Sequence, residues 1–403
     1  MKAIAIGWGY GIWLCAIAVV FYLVRGNDIG ALEYAVLAGV LPAALQLLLL
    51  GFETLGMTRP VKLLLVFLLI VTIGYLVNGA DWTALTYVIE LIYITVIAAI
   101  VAAYPEALLF RRIAAVYCVL AAVFIVWIDF NGTYTWGRLT AGVESNSWGL
   151  MAVSVGATAF ALRSRLLGVA CLGAAWFTCY EASSRGSMLG LALAMAAVAA
   201  LSVPRLTRLR LLMLLGTAVV VLLCVLLFAP TIWATAQHWA DQVLEINDPR
   251  RGLESGFTGR DVLWRAAFDL WWQNPLFGVG YRQHEAYLPL NLSAHNAYLA
   301  MLADTGVFGL IWYLYLLIAS GIAALRIRDP RSRNAVVALI VSYAVIGLFE
   351  RRAINGANPL SLLFLMGCFL AIKSHDLWRL HLRLGGAARV APSPAVPAAV
   401  AAE

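Results

Sequence analysis

Charge is scarce in this chain. Only 12% of its 403 residues are charged, and lysine occurs just three times. A soluble globule carries about 25% charged residues, so an ordinary soluble domain is excluded. Cysteine is sparse in kind as well as number. Cys15, Cys118, Cys171, Cys179, Cys224 and Cys368 all fall in apolar runs, and none forms a Cys-x-x-Cys pair. That pattern speaks for buried thiols and excludes a disulfide framework or a zinc site on paired thiols. No Asp-x-Asp pair stands on a loop, so no metal site is expected. No internal repeat is discernible. The apolar runs do not alternate, which excludes the strands of a membrane barrel.

What is present is hydrophobic length. The chain is 63% hydrophobic, with a mean hydropathy of +0.88. A spanning helix needs about 20 apolar residues. The reading is an all-α polytopic membrane protein with about 12 transmembrane helices, near 4–24, 30–51, 61–78, 84–103, 111–128, 148–162, 166–180, 186–203, 210–229, 297–324, 334–349 and 358–373. The first is read as an uncleaved span rather than a signal peptide. With the N-terminus inside, 18 of the 28 Lys and Arg residues fall inside, as the positive-inside bias demands. The net charge of +7 is therefore mostly a topology signal and does not argue for nucleic acid.

The organisation that follows is spans one to nine over 1–229, a large outside loop over 230–296, spans ten to twelve over 297–373, and a cytoplasmic tail over 374–403, Pro/Ala-rich and partly disordered. Within the loop, Ile232, Ala236, Trp239, Val243 and Ile246 recur at helical spacing and give one apolar face. A second helix reads from "TGRDVLWRAAFDLWWQNP", with Thr258 and Asp261 at capping spacing and Pro275 as the stop. "LFGVGY" is a glycine-rich turn that leads back to His295. A shorter outside stretch covers 129–147.

Arginines on the outside run against the bias, so each asks for a reason. Arg138, Arg185, Arg260, Arg265, Arg282, Arg351 and Arg352 share one face by topology. Arg185 stands at the very end of a span, where charge is costly and often functional. Guanidinium forks match phosphate oxygens. Together they suggest a polyanion site at the outer leaflet. The plainer alternatives stand beside this. Arg265 follows Asp261 at an ion-pair spacing. Arg351 and Arg352 follow Glu350 as ready partners. Arg250 and Arg251 read as solvated loop charge. Arg260 and Arg265 lie about 140° apart on a helix, so only one faces a site.

His295 sits beside Asn296 at the mouth of an apolar helix. A neutral imidazole there can take a proton from a hydroxyl. It can equally serve as a hydrogen-bonded capping residue. Gly7-x-x-x-Gly11 and Gly186-x-x-x-Gly190 permit close helix packing. Glu33 and Glu90 lie within apolar spans and ask for partners or a cavity.

The stretch "HNAYLAMLADTGVFGL" resembles the O-antigen ligase and polymerase superfamily of bacterial envelopes. So do "GRDVLWRAAFDLWWQNPLFGVGY", "SSRGSMLG" and "GRLTAGVESNSWGL", in that family's order, over residues 137–310. The chain departs by reading "SNSWG" where many relatives have Asn-Pro-Asn, and by Asp304 where relatives often carry glutamate. The resemblance implies glycan transfer from undecaprenyl pyrophosphate at the periplasmic face of the inner membrane. It implies His295, Arg185 and Arg260 as catalytic residues, and Arg138, Arg265, Asn296, Asn146, Arg282 and Tyr281 as substrate-binding ones. It implies no cofactor. Within the family, the single large loop favours a ligase acting on lipid A-core. A repeat-unit polymerase and a protein O-oligosaccharyltransferase are the alternatives. A transporter of anionic lipid is the alternative of another class.

Overall fold

The computed structural model describes residues 2–23, 34–50, 58–78, 82–103, 107–135, 137–140, 144–202, 260–351, 354 and 358–390. The expected ninth span (210–229), the amphipathic segment 231–246, Thr258, Glu33, Arg250, Arg251, Arg352 and residues 391–403 lie outside them.

The described residues are almost wholly helical. In chain order they form α1 (Lys2–Leu23), α2 (Val40–Leu50), α3 (Arg59–Asn78), α4 (Trp82–Ala103), α5 (Ala107–Asn131), α6 (Ser145–Ala159), α7 (Arg165–Glu181), α8 (Arg185–Ser202), α9 (Arg260–Gln273), α10 (Ala297–Ala324), α11 (Pro330–Ile346) and α12 (Pro359–Val390). The exception is a hairpin of two short strands, β1 (Tyr134–Thr135) and β2 (Arg138–Leu139), paired antiparallel. It occupies the expected outside stretch, which begins later than expected because α5 runs on to Asn131.

Five of the described helices are long and apolar enough to cross a membrane: Lys2–Leu23, Arg59–Asn78, Ala84–Val101, Leu108–Asn131 and Ala297–Ala324. Helices α6, α7 and α11 have 15, 17 and 17 residues. At 1.5 Å per residue they reach about 22–26 Å, short of a full hydrocarbon core of about 30 Å. The last helix continues past residue 373, the expected end of its span, to Val390. Large apolar side chains such as Trp8, Leu48, Leu69, Val123, Leu166 and Ile318 point outward. That outward apolar surface is what a helical membrane protein presents to lipid.

Inside, small residues set the helix spacing, as the two glycine motifs lead one to expect. A Cβ on Gly7 would lie 2.7 Å from Arg112 Cβ, and one on Gly11 2.6 Å from Val116 Cγ1, so α1 and α5 touch backbone to side chain. Gly186 and Gly190 admit Phe349 and Ile346 in the same way and seat α8 on α11. Helix α6 is buried at every position but Asn146 and forms the centre of the bundle. Several hydroxyl side chains in the helices bond to the preceding turn. Thr158 donates to Ser154 O at 2.6 Å, Ser320 to Leu316 O at 2.6 Å and Ser342 to Ala338 O at 2.7 Å.

One helix is broken. In α10, Gly306 has φ 66° and ψ −166°, which interrupts the helix three turns in. A break within a membrane frees backbone carbonyls that must be satisfied by protein. The loop after α9 does this. Val279 N–H donates to Ala303 O and Gly280 N–H to Asp304 O, both at 2.9 Å, and Val307 N–H donates to Pro275 O at 2.9 Å. Asn78 of α3 clamps the same loop, donating through Nδ2 to Gly278 O at 3.0 Å. The "NPLFGVGY" and "HNAYLAMLADTGVFGL" motifs are therefore two halves of one interlocked structure.

The opposite end of the bundle is held by charge. Arg111 pairs with Asp329 at 3.1 Å, and Arg59 with Asp376 at 3.4 Å. Asp329 also caps α11, accepting from Ser332 N–H at 2.9 Å and Ser332 Oγ at 2.6 Å. Burial works against its ionised form, but the Ser332 hydrogen bonds and the Arg111 charge outweigh it, so its pKa lies below the ordinary carboxylate range.

Candidate active site at the His295 end

His295 is placed by the residues around it. Asn296 is the N-cap of α10, and its side-chain oxygen accepts from Tyr298 N–H and Leu299 N–H at 3.0 Å each. This engages the Asn296 carbonyl oxygen in the cap. His295 precedes the cap in the left-handed region, φ 46°, a conformation that histidine adopts more readily than most side chains. Neighbours hold it there. Trp264 of α9 donates to Ala294 O at 2.8 Å. Ala297 N–H donates to Gly347 O, just past α11, at 2.7 Å. His295 N–H donates to Ser293 Oγ at 3.2 Å.

The His295 side chain is 31% exposed, but its Nδ1 is fully enclosed and has no hydrogen-bond partner. Glu350 Oε2 lies 3.9 Å from it. Glu350 comes from the turn after α11, and sequence reasoning had offered it only as a partner for the adjacent arginines. Its other oxygen, Oε1, accepts from Asn146 Nδ2 at 2.6 Å. Asn146 Oδ1 in turn accepts from Arg138 Nη2 at 3.2 Å. Arg138 also donates to Ala182 O, from Nε at 3.1 Å and from Nη2 at 3.0 Å. Four residues from three distant stretches of chain thus form one polar line, Arg138–Asn146–Glu350–His295.

Arg185 stands at the same end. It opens α8, half-buried. Gly186, beside it, lies against Phe349, the residue before Glu350, and Gly149 of α6 lies against Ser184. The N-terminus of α8, the first turn of α6 and the turn that carries Glu350 are therefore direct neighbours.

Helix α9 presents its two arginines differently. Arg260 is half-buried and Arg265 exposed. Arg260 lies one turn before Trp264, about 40° around the helix from it. It thus shares the face that reaches the backbone beside His295.

Tyr281 and Arg282 are engaged within the protein. Tyr281 is buried, and its hydroxyl donates to Ile354 O at 2.9 Å. Burial raises its pKa above the ordinary tyrosine value. Arg282 reaches down to Glu90 of α4 at 3.2 Å and lies over the Tyr87 ring at 4.2 Å. That supplies the partner which an intramembrane Glu90 demanded. His284 is buried, and both its N–H and Nδ1 lie 2.8 Å from Asp304 Oδ1. Glu285 pairs with Arg351. Residues 281–285 are thus pinned on α4, on α10 and on the segment after α11. Among the described residues, no group of three or more His, Cys, Asp or Glu side chains is placed to hold a metal ion.

A helical membrane protein whose imidazole, carboxylate and arginines gather at one end of the bundle is the class that this fold and site define. A family model described as O-antigen ligase matches residues 169–314 of the chain, and the match supports membership of the O-antigen ligase/polymerase superfamily. Members of that superfamily are glycosyltransferase-like enzymes acting on polysaccharides. The matched segment contains Arg185, Arg260, His295 and the interlocked motifs; Arg138, Asn146 and Glu350 lie outside it. Comparison with curated proteins yields no match.

Proposed function

We propose that this protein is an O-antigen ligase. It transfers polysaccharide from undecaprenyl pyrophosphate to a hydroxyl of lipid A-core at the periplasmic face of the inner membrane. The observation that carries the reading is the gathering of His295, Glu350, Asn146, Arg138 and Arg185 at one end of the bundle. His295 takes the proton of the acceptor hydroxyl, whose oxygen bonds to the anomeric carbon. The bond from that carbon to the pyrophosphate breaks, and the pyrophosphate leaves with the electron pair. One displacement inverts the anomeric configuration. Arg185 and Arg260 stabilise the negative charge that develops on the leaving group, and the protein's own cations make a metal unnecessary. The single large loop expected from the sequence over 230–296 favours the ligase within the superfamily.

The test is the lipopolysaccharide profile of a deletion strain complemented with wild type or His295→Ala, with carrier-linked glycan measured in the same cells. Unmodified lipid A-core with long polymer accumulating on the carrier is expected in the deletion. Core bearing a single repeat unit would instead make the protein a polymerase. A general base contributes about 10²–10⁴-fold in rate, so His295→Ala should leave the ladder unrestored. A restored ladder would remove His295 from the chemistry.

A further inference from the structure

We propose that Glu350 is the positioning residue of His295, and that Arg138 and Asn146 set Glu350 rather than contact the glycan donor. The proposal rests on the reading of His295 as the base. Arginine only donates hydrogen bonds. Facing Arg138, Asn146 must present its oxygen, and its NH₂ group is thereby turned to Glu350. Glu350 Oε1 is taken up by that donor. Oε2 remains, and it faces the enclosed, unpartnered Nδ1 of His295 at 3.9 Å. Closing to a hydrogen bond requires a movement of about 1 Å. An enclosed ring nitrogen facing a carboxylate oxygen is the one that carries the proton. The lone pair is then on Nε2, the nitrogen left for an acceptor hydroxyl. Arg138, with its donors directed at Asn146 and Ala182 O, orients the line from its far end.

The polarity of this line makes a specific prediction for Glu350→Gln. Asn146, fixed by Arg138, still donates and so selects the glutamine oxygen. The glutamine NH₂ then faces His295 Nδ1 and donates to it. The imidazole is forced into its Nε2–H form, which cannot accept the hydroxyl proton. The shape of the site is kept while its direction is reversed.

The experiment uses the full chain in nanodiscs, with an undecaprenyl-pyrophosphate-linked glycan donor and lipid A-core acceptor. Glu350→Gln should lower kcat by about 100-fold or more, the scale of a general base, with the KM of both substrates unchanged. Glu350→Asp, which restores the carboxylate, should recover part of the rate. Nitrogen NMR of the histidine-labelled protein, with His295→Ala identifying the resonance, should show Nδ1–H in wild type and Nε2–H in Glu350→Gln. Should Glu350→Gln fail to fold, Asn146→Ala carries the test: it removes the donor that sets Glu350 and should lower kcat by about tenfold at constant KM. Unchanged kcat in the folded variants, a loss expressed in the donor KM, or an Nε2–H tautomer in wild type would overturn the proposal. If wild type transfers no glycan, the ligase reading fails, while the histidine spectra still decide whether Glu350 orients His295.

Discussion

Gly306 lies against the backbone of Leu276 so closely that a Cβ on Gly306 would sit 2.1 Å from the Leu276 carbonyl oxygen. Its φ of 66° and ψ of −166° belong to a region that only glycine occupies readily. Two independent reasons, space and backbone angle, therefore demand glycine at the point where the loop enters the broken helix.

Gly306→Ala should be among the most damaging single substitutions in the chain, on the order of 3 kcal/mol or more. Thermal melts of the purified protein, followed by tryptophan fluorescence, would show a collapsed Tm or no folded material. Gly173→Ala provides the contrast. A Cβ there meets nothing within 4 Å, and alanine is the better helix former. An unchanged or slightly raised Tm is expected for it. Equal effects at the two positions would show that the interlock contributes nothing.

The faces of α9 lead to a second prediction. Arg260→Ala should reduce glycan transfer by about 100-fold, the scale of one lost electrostatic stabiliser, while Arg265→Ala should stay within about threefold. The measurement is transfer rate on lipid-linked donor. The reverse order would mean that the exposed arginine serves the site.

Arg282 and Glu90 form a partly buried pair, with side chains 27% and 26% exposed. Arg282→Gln or Glu90→Gln alone breaks the pair and should lower the Tm. The double variant should lose less than the two losses added together. Additive losses would mean that the pair carries no coupling and that Arg282 is held by Tyr87 alone.

Asp329 yields a pH-dependent prediction. Its folded pKa is depressed, so its contribution to stability is present above the unfolded value of about 3.9 and disappears as pH falls through the folded value. Asp329→Asn keeps a capping oxygen but loses the charge paired with Arg111, so it should lower the Tm at pH 7 by an amount equivalent to about 0.2–1 kcal/mol, the scale of an exposed ion pair. The gap between wild type and variant should narrow below about pH 4. A gap that persists unchanged at low pH would show that the carboxylate charge is not what stabilises the cap.

The sequence by itself determined much of the frame. Helix content, the expectation of spanning helices and the close contacts at Gly7, Gly11, Gly186 and Gly190 follow from local composition and spacing, because hydrophobic length and small residues act wherever they stand. Pro275 announced the end of α9, which stops at Gln273. The sequence offers His295 as a capping residue at this helix, but the structure gives the cap to Asn296, one position on. Spacing also limited α9 to one site-facing arginine, since helix geometry is local.

Tertiary structure decided the rest. Glu350 lies 55 positions beyond His295, and Asn146 and Arg138 precede it by more than a hundred. No periodicity links residues whose only relation is that three helices end at the same level. The kink at Gly306 was equally hidden, because a glycine in an apolar helix is ordinary until a second backbone arrives to occupy the space it leaves. The family resemblance implies Arg282 and Tyr281 as substrate ligands; only the fold reveals that their side chains also meet Glu90 and Ile354. Sequence determines which groups a chain carries, but which of them meet depends on long-range packing, and at the His295 end that packing brings a carboxylate to an enclosed ring nitrogen.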